Sequence, residues 1–398
     1  MSIETMRVEP SSSRMRHADR PMSVLIADDQ PHVVEALRLL LKPEGCEIES
    51  ADSPRSVLAC VDARQYDLLL LDLNYARDTT SGGEGLDLVR EIRSRDSLTP
   101  IVVMTAWGGV SLAVSAMQRG ACDVVIKPWD NDHLREIVRT QAELGRTARR
   151  AAELEALLQQ DLRMAAQVQA RLFPRVLPPL STLDYVGRCL PARVVGGDYF
   201  DFVPLDSSRL GVALADVAGK GVSAALMMAT LQALFRSRVH IDGDDPAALM
   251  SAINALLLDS IPSNRFATFF YGVYDDRHRT LTFVNAGHNP GVVKRRDGRI
   301  ERLDSGDPVI GLIPDLAFHA RSLAFETGDT LVLFSDGVTD AENDGEEAFG
   351  DARLVETIAG SRRAEASALL DDVMTAHAAF VDGAPQQDDI TLVVARVV

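Results

Sequence analysis

Residues 68–72 read LLLLD. An unbroken apolar run closed by an aspartate is the signature of a strand buried on both faces, as in a parallel sheet, rather than of one that alternates between core and solvent. Four further apolar runs lie on either side of it: VLIA at 24–27, CEIES at 46–50, IVVMT at 101–105 and DVVI at 123–126. Longer amphipathic stretches separate the runs, so the segment from Ser23 to about Thr140 alternates strand and helix. Five such strands predict a doubly wound α/β sheet.

In an open parallel sheet, functional residues collect in the crevice at the carboxyl ends of the strands. Here those ends carry Asp28, Asp29, Asp72, Thr105 and Lys127. Three carboxylates meeting in one crevice repel one another unless a divalent cation sits among them, and an all-oxygen donor set suits Mg²⁺. A carboxylate beside such a metal can attack a phosphoryl group, with a lysine and a hydroxyl stabilising the transferring oxygens, and Asp72 is the natural nucleophile. This constellation resembles the receiver domain of response regulators over roughly residues 22–140. The resemblance implies that Asp28, Asp29, Asp72 and the backbone carbonyl of Asn74 hold Mg²⁺. It further implies that Asp72 accepts phosphate from a histidine kinase and that Thr105 and Lys127 contact the phosphoryl group; Pro128 follows the lysine, as the family expects. Two departures stand out. The stretch from Asn74 to Gly83 is longer than the usual loop after the acceptor, and Val124 occupies a position where the family commonly has an aromatic switch. Output is therefore expected to depend on rearranged pairing of receivers.

From about Arg135 to Leu172 the chain has almost no Gly or Pro, and Leu144, Ala151, Leu154, Leu158, Ala165, Val168 and Leu172 keep roughly heptad spacing. One long helix is expected, forming an imperfect coiled coil because Asp161 falls on the apolar seam. Pro174, Pro178 and Pro179 stop it. The expected organisation is a disordered leader at 1–21, a receiver domain at 22–138, a linker helix at 139–175 and a second domain at 176–398.

The second domain interleaves strand-like runs (RLGVALADV, FATFFYGVY, TLTFVNAG, TLVLFSD, ITLVVARVV) with helical stretches at 223–238, 246–258 and 364–380, which predicts antiparallel sheets covered by helices, an α+β fold. Its acids sit in short glycine-flanked motifs: Asp198 and Asp201 in GGDYFD, Asp216 in ADVAGKG, Asp336 and Asp340 in FSDGVTD, Asp388 and Asp389 in QQDDIT. Carboxylates at separated strand ends, with no His or Cys companion, form a hard oxygen site for Mg²⁺ or Mn²⁺. Two such ions can share and acidify a water placed in line with a phosphate ester.

These motifs, with FATFFYGV and NAGHNP, resemble the metal-dependent protein phosphatase (PPM) family in its SpoIIE-like branch over roughly residues 180–398. The resemblance implies an αββα sandwich and two Mn²⁺ or Mg²⁺ ions. Asp216 would bridge them beside the carbonyl of Val217, Asp336 and Asp388 would complete the first, and Asp198 would hold a water of the second. Asp201 and Asp389 are further candidate ligands, and Asp340 could be a loop acid. His288 reads as a turn histidine or a proton donor, and the glycines of GKG at 219–221 as a tight turn, since the full P-loop pattern is missing.

A net charge of −17 disfavours phosphate backbones and anionic lipid as partners. Cys46, Cys60, Cys122 and Cys189 are widely separated and indicate neither a disulfide framework nor a zinc site, so a reducing cytoplasm fits. The combined expectation is a cytoplasmic, homodimeric two-component regulator. Phosphorylation of Asp72 would control hydrolysis of phosphoserine or phosphothreonine on a partner protein, by resemblance an anti-sigma-factor antagonist. The alternative is a phosphatase-like adaptor that binds its partner without hydrolysis.

Overall fold

The computed structural model describes residues 20–75, 83–106, 110–262, 264–304 and 306–398. Most of the leader and of the long loop expected after Asn74 lie outside the described residues. The chain divides into two compact units, 1–158 and 159–398.

The first unit runs β1 (Met22–Ala27), α1 (Pro31–Leu41), β2 (Cys46–Ala51), α2 (Pro54–Ala63), β3 (Leu68–Asp72), α3 (Gly83–Arg95), β4 (Ile101–Thr105), α4 (Val110–Gln118), β5 (Asp123–Ile126) and most of α5 (Asn131–Gln169), whose last residues belong to the second unit. The strands pair in parallel in the order β2-β1-β3-β4-β5. Every residue of β3 and β4 is buried, because helices cover both faces of the sheet. Leu25, Leu69, Leu71 and Val103 point to one core layer, whereas Val24, Ile26, Leu68, Leu70 and Val102 point to the other. Local signals set the helix starts. Pro31 and Pro54 occupy first-turn positions where no amide donor is needed, and Ser53 and Ser56 form a reciprocal capping box on α2.

Helix α5 is 39 residues long. The Asp130 carboxylate caps it by accepting from the amides of Asp132 and His133 at 3.0 and 2.9 Å. Its first turns bury Leu134, Ile137, Val138 and Ala142 against the sheet. Gly145 is required next, since a Cβ there would lie 2.4 Å from Pro100 Cδ. Arg146 then donates to Asp67 at 2.9 Å, and Arg149 to the Thr99 hydroxyl. Further along, Leu154, Leu157, Leu158, Met164 and Val168 are exposed.

The second unit contains β6 (Leu183–Leu190), β7 (Tyr199–Pro204), β8 (Arg209–Val217), α6 (Val222–Asp242), α7 (Pro246–Ser260), β9 (Ala267–Asp275), β10 (Thr280–Ala286), β11 (Gly291–Lys294), β12 (Ile300–Leu303), β13 (Arg321–Ala324), β14 (Thr330–Phe334), α8 (Asp336–Thr339), α9 (Gly350–Gly360), α10 (Ala366–Val381) and β15 (Ile390–Val397). Two antiparallel five-stranded sheets result, ordered β13-β10-β9-β8-β7 and β12-β11-β14-β15-β6. Three apolar layers hold them. Phe202, Val212, Leu214 and Phe270 of one sheet meet Val293, Leu331, Leu333 and Val393 of the other. Met228, Leu231, Phe235 and Leu249 of α6 and α7 cover the first sheet, and Leu354, Ile358, Leu370 and Val373 of α9 and α10 cover the second. The expected layers of helix, sheet, sheet and helix are therefore present. Leu172, grouped with the coiled-coil seam on its spacing, instead lies past the end of α5 and packs, with Phe173, against the core of this unit.

Candidate functional site

In the first unit the strand order reverses between β1 and β3, which opens a crevice at their carboxyl ends. Asp28 and Asp29 follow β1, Asp72 ends β3, Thr105 ends β4 and Lys127 follows β5. Carboxylate oxygens of Asp28, Asp29 and Asp72 lie within 4.8 Å of one another. Lys127 Nζ stands 2.6 Å from Asp28 Oδ2 and 3.1 Å from Asp72 Oδ2. Burial pushes the Asp72 carboxyl up and the ammonium of Lys127 counters it, while the charge of Asp28 adds to the rise. Asp72 Oδ1 and Thr105 Oγ1 are buried without a hydrogen-bond partner among the described residues. Orphaned oxygens in an all-carboxylate cluster fit a hard divalent cation and an incoming phosphoryl group. Val124 is half-buried against the core layer and Asn74 is half-buried at the lip of the crevice.

In the second unit, antiparallel pairing brings strand starts and strand ends to the same edge. Tyr199 pairs with Ala215, so Asp198, just before β7, faces Asp216 near the end of β8. Phe334 pairs with Leu392, which gathers Asp336 after β14 and Asp388 before β15. The two sheets are pinned together here, because the Thr391 hydroxyl on β15 donates to Asp198 Oδ2 at 2.6 Å. Asp198 is buried, and burial followed by the charge of Asp216 drives its carboxyl well above the ordinary range. Burial, then the charges of Asp336 and Asp388, push Asp216 up to about 7. Asp336 is raised by burial and by Asp388 and Asp340. Such mutual repulsion is what oxygen-liganded cations relieve, so the donor set fits them. The carboxylates are spaced more widely than those of the first unit, which form the one three-acid group within 4.8 Å among the described residues. Close approach favours glycine at three points: a Cβ on Gly337 would lie 2.1 Å from the Asp389 carbonyl oxygen, one on Gly196 2.4 Å from Asp389 Oδ2, and one on Gly197 a tight 3.0 Å from the Val217 carbonyl oxygen.

The family described as "Stage II sporulation protein E (SpoIIE)" matches residues 206–398, and "Response regulator receiver domain" matches residues 24–139. The chain joins a receiver domain to a SpoIIE-family phosphatase domain. Protein IcfG of Synechocystis sp. is 32% identical over 259 residues, covering 58% of this chain and 41% of that protein. Phosphoserine phosphatase RsbU of Bacillus subtilis is 32% identical over 189 residues, covering 47% of this chain and 56% of that protein. The chain thus spans about half the length of these relatives. The SiaA-PP2C domain of Pseudomonas aeruginosa shares the fold of the SpoIIE-family domain, with a TM-score of 0.54 and 22% identity, covering 62% of this chain and 98% of that one.

Several acids of the SpoIIE-family domain serve the scaffold. Asp201 is fully buried, and its carboxylate accepts from Arg236 Nε and Nη2 at 2.6 Å each, from the Phe202 amide and from the Tyr199 hydroxyl. Asp389 accepts from the amides of Ala192 at 2.8 Å and Gly197 at 2.6 Å, so it fixes the loop that carries Asp198. His288 is buried, bonded through Nδ1 to the Thr268 hydroxyl at 2.7 Å, and held down to about 4 by burial, which makes it a neutral turn residue.

Three contributors were missed in the sequence. Lys220, between Gly219 and Gly221 with φ of 111° and 75°, directs Nζ to Asp388 Oδ2 at 2.8 Å and to the Gln387 carbonyl at 2.8 Å. Its position just past a strand carrying Asp216 was the available signal. Thr391 follows the acids of QQDDIT by two residues and carried no signal of its own. Gln169, the last residue of α5, is buried; its Nε2 donates to the Gly196 carbonyl at 2.7 Å and its Oε1 accepts from the Gly196 amide at 3.0 Å.

Proposed function

We propose that this chain is a two-component regulator in which phosphorylation of Asp72 by a histidine kinase controls a metal-dependent protein serine/threonine phosphatase. Its substrate would be a phosphorylated anti-sigma-factor antagonist, met in the cytoplasm by a homodimer joined along α5. The observation that carries the reading is the convergence of Asp198, Asp216, Asp336 and Asp388 at one edge of the two sheets, with burial and mutual repulsion raising the first three. The likeness to RsbU, a phosphoserine phosphatase, supports the reaction class. No helix among the described residues is long and apolar enough to cross a membrane.

When bound, two Mn²⁺ or Mg²⁺ ions would supply the Lewis acidity that activates water beside a phosphate ester. Asp216, the Val217 carbonyl, Asp336 and Asp388 would hold them, with Asp198 orienting the water. The protein's own part is positional. Thr391 fixes the Asp198 carboxylate, Asp389 anchors the loop behind it, and Lys220 balances charge at Asp388. In the receiver, Mg²⁺ would sit on Asp28, Asp29, Asp72 and the Asn74 carbonyl. The open oxygen of Asp72 is the nucleophile, and Lys127 and the Thr105 hydroxyl receive the transferring oxygens.

The test is phosphate release from an aryl phosphate by the full chain with Mn²⁺ or Mg²⁺. Turnover is expected in the wild type and a loss of at least about 100-fold in Asp216→Ala. Equal rates in the two proteins, or none above the metal-only background, overturn the reading.

A further inference from the structure

A cavity of about 530 Å³ opens beside the phosphatase acids, between α10 and the 383–388 loop. Lys220 and Asp388 of the acid edge form part of its wall, so whatever fills it lies next to the reacting phosphate. Its apolar lining includes Leu190, Met374, Val381 and Ile390. Asp340 and Glu342, both exposed, put two carboxylates on its rim. His377 also lines it, is only 5% exposed, and its Nε2 has no hydrogen-bond partner among the described residues. Burial holds its imidazole below the ordinary value, countered by a contact with the Gly337 backbone.

We infer that this cavity is a specificity pocket for an arginine or lysine flanking the phosphoserine of the protein substrate. A long basic side chain suits this lining: its methylene stem covers the apolar residues and its charge meets Asp340 and Glu342, while the Lys220 ammonium is engaged by Asp388. An acidic or short flanking residue does not. The inference rests on the phosphatase reading and adds to it the kind of sequence the enzyme selects.

The experiment uses the full chain with Mn²⁺ and two kinds of probe. One is an aryl phosphate, which carries no flanking residue. The other is a set of phosphoserine peptides in which each position within three residues of the phosphoserine is Arg, Ala or Glu. The wild type should favour Arg over Glu at one flanking position by at least about tenfold in kcat/KM, a difference of about 1.4 kcal/mol. Ala378→Phe, which places a ring in the cavity from an exposed position on α10, should erase that preference, and Glu342→Gln should weaken it. Both variants should hydrolyse the aryl phosphate at the wild-type rate, which also shows that they fold. An absent preference, or one retained in Ala378→Phe while aryl phosphate turnover is normal, overturns the pocket and leaves the phosphatase standing. No aryl phosphate turnover in the wild type overturns both.

Discussion

Asp72, buried, and Asp216, half-buried, are carboxylates with opposite requirements. Asp72 must react, and its free Oδ1 and the nearby Lys127 prepare it to do so. Asp72→Asn should reduce labelling by acetyl phosphate to background, since an amide is no nucleophile; acid-labile label retained in the variant would show that another residue is the acceptor. Asp216 must hold charge that the fold resists. Because its folded value is about 7, against an ordinary carboxylate value near 4, the protonated form favours the fold, an effect complete below pH about 4 and lost as pH rises through about 7. The raised Asp198 and Asp336 act in the same direction. In chelator, melting temperature should therefore fall between pH 5 and pH 8 by several degrees. Asp216→Asn should flatten that slope while abolishing turnover, and Mn²⁺ should restore the wild type at pH 8. A metal-free melting temperature independent of pH over this range would count against the repulsion. The acids were legible because strand-end aspartates between glycines leave a local pattern. Lys220, Thr391 and Gln169 were not, because their bonds span 168, 193 and 27 residues and each needs the folded chain to reveal its partner.

Among the elements, legibility followed burial. β3 and β4, apolar up to their last residue, stand out from sequence, as does β15; β12 (IERL) and β13 (RSLA) do not, being short edge strands whose polar residues are half-buried or exposed. Helix α5 was legible in extent but not in division of labour. Gly145, Arg146 and Arg149 lock its first half to the receiver sheet, and the apolar residues after Ala151 are left exposed. If that stripe is the seam of a dimer, rotation about the helix axis is the signal it transmits. An α-helix turns about 100° per residue, so two residues inserted after Gln160 rotate the downstream chain by roughly 200°, whereas seven restore the face within about 20°. The two-residue insertion should uncouple phosphatase activity from Asp72 phosphorylation and the seven-residue insertion should retain most of it. Equal coupling in both would reduce α5 to a tether.

For the whole molecule, two side chains ahead of the prolines pack within the second unit. Phe173 packs on Tyr199 and Phe200, with ring centroids 6.2 and 5.3 Å apart, and Leu172 joins the same core, so a fragment beginning at 176 lacks part of its own interior. A fragment of residues 159–398 should melt higher than one of 176–398 by roughly 6–12 °C, corresponding to about 3 kcal/mol of lost aromatic burial. Identical melting would place those side chains outside the cooperative unit. The amide of Gln169 has a different consequence. By gripping both the N–H and the C=O of Gly196 it pairs that residue as a neighbouring strand would, although Gly196 belongs to no strand. The Gly196 proton should accordingly exchange with deuterium far more slowly than other loop amides nearby, at a rate set by how often the end of α5 lets go. One resonance in an NMR spectrum would then serve as a clock for the helix, ticking faster in any state of the receiver that pulls the helix away.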